Sequence, residues 1–298
     1  MSITRNLNFA NFSMKLQELG LKNNKFMLEI KDKRVLELNP WDENLTEEEK
    51  QIILNEVKNN MWYFLSEVVR IKTFENKLVQ MDINLLTAKS LYVLEKGINI
   101  YQFAPRCVYS TITNILYMIW KHIKSNSYVM FNAKNNSEFS IYLNNTVSNI
   151  ICIPDFIGVN LVLTDFDYFD KYADKVDIIY VNGLEYYKKD KIIEIMNFMQ
   201  NNKNTQIIID TPIGKDGTYG RKVGDEMTIK YDKFRTELFD VDNFVDDHEF
   251  FCISEPLNKL TSEEKYKYWC IDLYMNDKKT INRELLCKRY MEYEMDFK

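Results

Sequence analysis

Apolar residues follow two rhythms along this chain, and the change between them divides it. From Ile98 onward short apolar runs alternate with helically spaced segments. The runs Ile98–Phe103, Tyr128–Phe131, Phe139–Leu143, Ile150–Ile153, Leu161–Leu163, Val176–Val181 and Gln206–Ile209 predict strands. Apolar positions at Ile112, Ile115, Leu116, Ile119, Trp120 and Ile123 predict a helix, and a second spans Lys189–Met199. The stretches Ile178-Ile179-Tyr180-Val181 and Gln206-Ile207-Ile208-Ile209 are apolar without alternation, as in central parallel strands covered on both faces. The prediction is an α/β fold with a mainly parallel sheet flanked by helices.

Upstream of Ile98 the rhythm is helical. Thr46-Glu47-Glu48-Glu49 reads as a capping box opening a helix to about Lys58. An aromatic and aliphatic helix follows at Asn60–Ile71, and another at Asn84–Lys96. The first 44 residues are mixed, with a helix around Phe12–Leu19, a hairpin near Lys25–Leu38 and a break at Asn39-Pro40-Trp41. After Gly220 the chain turns acidic, with Asp240, Asp242, Asp246, Asp247 and Glu249 close together, and Thr261–Tyr290 reads as helical. The organisation expected is an N-terminal lead (1–44) and one domain (45–298), made of a helical entry (45–97), an α/β core (98–220) and a closing segment (221–298).

Composition narrows the function classes. A hydrophobic content of 46% over 298 residues suffices for a sizeable core. The net charge of −5 excludes a generally basic nucleic-acid binder, so any DNA contact would be local. Five widely spaced cysteines without a CxxC pair, and only His122 and His248 beside them, predict reduced thiols and no zinc site. No apolar run approaches the roughly 18 residues that span a bilayer, and the N-terminus lacks a signal-peptide core, so a soluble, intracellular protein without membrane contact is expected.

Candidate chemistry concentrates where the strand Ile98–Phe103 meets the helix that begins near Ile112. This strand–turn–helix frame is that of a phosphate-binding loop. Such a loop needs glycine, so that backbone N–H groups turn toward phosphate, and a lysine to meet the outer phosphates. Ala104-Pro105-Arg106-Cys107-Val108-Tyr109-Ser110-Thr111 offers neither. A second element, the strand Val176–Val181, runs into Asn182-Gly183-Leu184-Glu185, where a nucleotide hydrolase would place an acidic pair to hold magnesium and polarise water. A third is Ile207-Ile208-Ile209-Asp210-Thr211-Pro212, opening into the turn-rich segment Ile213–Gly220.

Taken in order, Asn60-Met61-Trp62-Tyr63-Phe64-Leu65-Ser66-Glu67-Val68-Val69-Arg70-Ile71, Pro105-Arg106 with Thr111, Tyr180-Val181-Asn182-Gly183 and Asp210–Gly220 resemble the ATPase domain of tailed-phage terminase large subunits. Asn276–Leu286 resembles the segment that closes that domain. The likeness covers roughly residues 40 to 290 and implies a P-loop NTPase-like fold with a helical N-terminal lead and a helical C-terminal end. It implies a nucleotide site at Arg106, Tyr109, Ser110 and Thr111, with Thr111 the magnesium-ligand hydroxyl. It also implies a Walker B position at Asn182 and Gly183, with Glu185 a candidate stand-in for the lost acid, and a coupling motif at Asp210, Thr211 and Pro212.

The departures from the family pattern are concerted. The resemblance puts the loop glycine at Tyr109, the lysine at Ser110, the Walker B aspartate at Asn182 and the catalytic glutamate at Gly183. The expectation is therefore a catalytically degenerate, structural or regulatory relative, without a nuclease domain, working with phage packaging or virion proteins such as terminase, portal or capsid components in the host cytoplasm or the virion. No catalytic residue, metal site or cofactor is expected on that reading; ATP and Mg2+ enter only if the site is competent. An active packaging ATPase with Arg106 or Lys215 replacing the lysine, and an interaction module on an inherited α/β scaffold, are the alternatives. Trp62, Tyr63 and Phe64 are read as core, and Lys215 and Arg221 as surface cations rather than DNA contacts.

Overall fold

A computed structural model describes residues 14–19, 29–72, 75–81, 83–103, 110–125, 129–132, 150–159, 163–165, 176–183, 187–202, 204–211 and 250–254. The chain divides into two compact units. One comprises Met1–Ile83, Ile115–Tyr128 and Asn135–Val162; the other comprises Asn84–Asn114, Val129–Lys134 and Leu163–Lys298.

The first unit is built on helices with a small antiparallel sheet. Its helix α1, Glu47–Asn59, opens with the capping box expected from sequence: Thr46 accepts from the Glu49 N–H, and the Glu49 carboxylate accepts from the Thr46 N–H at 2.8 Å. Asn60 ends α1 and caps the next turn, α2 (Met61–Tyr63), which widens into a π turn at Phe64–Val68 closed by the Val69 N–H on the Phe64 carbonyl. Trp62, Tyr63 and Phe64 are at most 1% exposed, so the aromatic run is core. Two indoles fix neighbouring segments: Trp120 Nε1 donates to the Val57 carbonyl at 2.8 Å and Trp41 Nε1 to that of Val68 at 3.1 Å.

Three differences from the sequence reading fall in this unit. The helix expected over Asn60–Ile71 stops early, because Arg70 and Ile71 enter strand β1 (Arg70–Lys72). That strand pairs antiparallel with β2 (Leu78–Val79) on one side and β5 (Ile151–Cys152) on the other. The predicted strand at Ile150–Ile153 thus exists but belongs to this small sheet. Within the expected hairpin, Lys33–Glu37 forms a 3-10 turn capped by Asp32.

In the second unit six parallel strands stand side by side among the described residues. They are β3 (Asn99–Phe103), β4 (Val129–Asn132), β6 (Leu163–Asp165), β7 (Ile178–Asn182), β8 (Gln206–Thr211) and β9 (Phe250–Ser254), in the order β6-β4-β7-β8-β3-β9. Helices α3 (Leu85–Glu95) and α5 (Lys189–Asn201) belong to the same unit, as do Ser110–Asn114, the first residues of α4 (Ser110–Ser125), whose remainder from Ile115 belongs to the first unit. The expected α/β architecture with parallel strands is present. The strand β9 directly follows the acidic positions 240–249, where the sequence pattern predicts no strand, and the strand predicted at Phe139–Leu143 falls outside the described residues.

The apolar runs explain why β7 and β8 are central. Ile178, Ile179, Tyr180, Val181, Ile207, Ile208 and Ile209 are all essentially inaccessible, and each buried aliphatic side chain contributes about 1.5–3 kcal/mol. The entry to β8 is fixed by polar contacts: Gln206 Nε2 donates to the carbonyls of Leu94 and Ile98 at 3.1 and 3.0 Å, and Asn99 Oδ1 accepts from the Ile207 N–H at 2.8 Å. Gly97, at φ +78°, supplies the left-handed residue that lets α3 turn into β3. Among the described residues no helix is long and apolar enough to cross a membrane.

Burial makes a direct prediction. Ile208→Ala in β8 is expected to destabilise by about 2–5 kcal/mol in chemical denaturation. Ile193→Ala on α5, where the residue is 38% exposed, is expected to change stability by less than about 0.5 kcal/mol.

Candidate functional site

Register brings the site together at the carboxyl ends of three strands. Gln102 on β3 is opposite Asp210 on β8, and Asp210 is opposite Asn182 on β7, so the three share one row of the sheet. Tyr180 lies two residues before Asn182 and projects from the same face of β7. The chain leaves β3 toward β4, on one side, and leaves β8 toward β9, on the other. Adjacent parallel strands whose connections diverge open a crevice at their carboxyl ends, where α/β proteins bind ligands.

Asp210 is the centre of the row. It is 2% exposed, and its Oδ2 accepts from the Tyr180 hydroxyl at 3.0 Å. Thr111 Oγ1 and Asn114 Nδ2, from the first turns of α4, reach the same oxygen at 3.5 Å each, and the Ser110 hydroxyl also bonds the carboxyl group. The two 3.5 Å contacts are long and weak beside the tyrosine bond. Behind this shell Asn182 Nδ2 donates to the Tyr180 hydroxyl at 2.9 Å. Asn114 Nδ2 also donates to Gln102 Oε1 at 3.1 Å, and Gln102 Nε2 donates to Ser90 Oγ at 3.0 Å. Gly183, at φ +69°, turns its N–H onto the Asp210 carbonyl at 2.8 Å.

No side chain that bonds Asp210 among the described residues carries a positive charge. Burial therefore dominates and pushes the Asp210 carboxyl up to about 6, although bonds from Tyr180, Ser110, Thr111 and Asn114 oppose the shift. Burial, with the Asp210 charge beside it, holds the Tyr180 phenol well above its usual value, so Tyr180 stays protonated and donates.

The sequence-derived residues fare differently. Ser110 and Thr111 stand at the start of α4, facing Asp210, and both are half-buried. Asn182 and Gly183 end β7 as expected, but their bonds run to Tyr180 and to the Asp210 backbone. Asp210, expected only as a coupling residue, is the carboxylate at the centre, and Thr211 closes β8. Arg106, Tyr109, Glu185, Pro212, Lys215 and Arg221 lie outside the described residues. Tyr180, Asn114 and Gln102 are the members that the sequence reading missed. The available signal was the run Ile207-Ile208-Ile209-Asp210, which has the form expected of an acid-bearing strand end.

Among the described residues no group of three or more His, Cys, Asp or Glu side chains converges on a metal position. The groups that meet at the Asp210 carboxylate are all donors, the Tyr180, Ser110 and Thr111 hydroxyls and the Asn114 amide nitrogen, while the Asn114 amide oxygen is buried without a hydrogen-bond partner. No protein-family model matches the chain, and no curated protein matches it.

The raised Asp210 carboxyl gives stability a pH signature. Its folded value of about 6 exceeds the ordinary 3.8, so between these values the folded protein binds the extra proton and stability falls as pH rises. At about 1.4 kcal/mol per unit the full drop is at most about 3 kcal/mol, complete by roughly pH 7. Urea unfolding from pH 4 to 7 is expected to show this fall in the wild type relative to Asp210→Asn; parallel curves would exclude it.

Proposed function

We propose that this chain is a terminase-ATPase-like protein whose nucleotide chemistry has been retired, and that it serves as a structural or regulatory partner of phage packaging or virion proteins. The observation that carries this reading is the Asp210 shell. The Thr111 hydroxyl, which the family resemblance assigns to magnesium on a nucleotide, points at Asp210. A buried carboxylate with no described cation beside it repels a polyphosphate entering the same crevice. The divergence of β3 and β8 supports a crevice inherited from a ligand-binding ancestor, while the charge inside it opposes the ancestral ligand.

The active-ATPase reading keeps one specific point in its favour. An acid does converge on Thr111, from β8 instead of from the strand end at Asn182 and Gly183. Turnover on that reading would require a cation from Arg106 or Lys215 to offset the charge of Asp210.

Two measurements on the purified chain separate these readings. Retirement predicts no magnesium-dependent ATP hydrolysis above background and no rise in melting temperature with ATP or ADP, since a ligand that binds the folded state must stabilise it by mass action. Turnover that Thr111→Ala abolishes would overturn the proposal. Pull-down from infected cells is expected to return a portal, capsid or active terminase protein identified by mass spectrometry.

A further inference from the structure

Asn182-Gly183 is the sole Asn-Gly pair in the sequence. Asparagine followed by glycine is the pair most open to intramolecular deamidation, because glycine has no Cβ to keep its backbone nitrogen from the neighbouring carboxamide. The Gly183 nitrogen attacks Asn182 Cγ. The new N–Cγ bond closes a succinimide ring as the Cγ–Nδ2 bond breaks, and the Gly183 proton leaves with Nδ2 as ammonia. Water then opens the ring at either carbonyl and leaves aspartate or isoaspartate at position 182.

The folded end of β7 withholds each group that this reaction uses. Gly183 is buried, and its N–H, which must be given up for attack, donates to the Asp210 carbonyl at 2.8 Å. The carboxamide is engaged as well, since Asn182 Nδ2 donates to the Tyr180 hydroxyl at 2.9 Å. That phenol cannot protonate the departing nitrogen, because its one proton goes to Asp210 Oδ2 at 3.0 Å. Ring closure also requires rotation of the Asn182 backbone, and Asn182 is held in register with Asp210 on β8. We propose that Asn182-Gly183 is a latent deamidation site, locked while the ends of β7 and β8 are paired and released when they part. The conversion is one-way. A carboxylate at position 182 has no amide hydrogen to give Tyr180 and adds a second negative charge to the row of Asp210, so the original pairing does not return. A transient opening of these strand ends is thereby recorded permanently in the chain. The inference stands apart from the packaging reading, since it uses only the ends of β7 and β8.

The test is incubation of the full-length protein at mildly alkaline pH, with and without unfolding concentrations of guanidinium. Mass spectrometry then follows the peptide that contains Asn182-Gly183, whose mass rises by about 1 Da on deamidation. The folded protein is expected to react at position 182 at least about tenfold more slowly than the unfolded chain, because reaction waits on local opening. Tyr180→Phe removes the acceptor of the Asn182 amide and is expected to speed the folded-state reaction about two- to tenfold, the range set by one hydrogen bond, while leaving the unfolded rate unchanged. Asn182→Asp, the product made directly, is expected to unfold at lower guanidinium than the wild type. Circular dichroism checks that each variant is folded, and the folded and unfolded wild-type rates decide the matter if Tyr180→Phe is not. Equal rates in folded and unfolded wild type, a folded Tyr180→Phe that reacts at the wild-type rate, or an Asn182→Asp as stable as the wild type would each overturn the proposal. None of these readouts involves nucleotide or a packaging partner, so failure here is distinct from failure of the packaging reading.

Discussion

The Asp210 carboxylate, buried at the carboxyl end of β8 with no described cation beside it, dictates the chemistry of every group around it. A buried anion must be solvated by donors, and the sheet and α4 supply them: Tyr180 at 3.0 Å, Thr111 and Asn114 at 3.5 Å, and Ser110. The polarity then propagates outward. Tyr180 can give its only proton to Asp210 because Asn182 donates to the phenol oxygen. Asn114 turns its nitrogen to Asp210 and Gln102, so Gln102 accepts with its oxygen and donates to Ser90 with its nitrogen. Ser90 can accept because its own proton goes to the Leu86 carbonyl at 2.9 Å. Amide and hydroxyl orientations from β7 to the middle of α3 follow from one acceptor.

That network also fixes the sign of the potential in the crevice. A phosphate site is built from backbone N–H groups, a helix N-terminus and a lysine, all presenting positive character to an anion. At the start of α4, the hydroxyl groups of Ser110 and Thr111 give their hydrogen bonds to a carboxylate already present. Internal satisfaction and ligand recognition compete for the same donors. What remains unfilled among the described residues of the cluster is an acceptor, Asn114 Oδ1, so the unmet demand is for one more donor.

Much of the scaffold was legible in the sequence because burial on both faces leaves an unmistakable record. Ile178–Val181 and Ile207–Ile209 read as central parallel strands and are so, and Thr46 with Glu49 forms the expected capping box. Elements that rest on pairing partners far away in sequence were not legible. Arg70 and Ile71 continue an apolar helical rhythm yet become a strand because Ile151 and Val79 are there to pair with them. The site suffered from the same blindness. Thr111 and Asn182 were found from local frames, but Asp210 takes its meaning from register with Asn182 and Gln102, which no local pattern encodes.

Register also accounts for why Asn182 and Gly183 suit an acid at position 210. With an acid at position 210, a second acid at position 182 would occupy the same row of the sheet, one strand away, where a carboxyl already pushed up to about 6 by burial would meet a like charge. It would also compete for the Tyr180 proton that Asp210 now receives, and the donor that Asn182 supplies to the phenol would be lost. Asn182 is thus the neutral partner that an acid on β8 requires. Gly183 contributes through its backbone: its left-handed φ of +69° points the N–H at the Asp210 carbonyl, a conformation that a glutamate would hold only with strain. With the carboxylate on β8, the neutral Asn182 and the left-handed Gly183 at the end of β7 are the residues that its position favours.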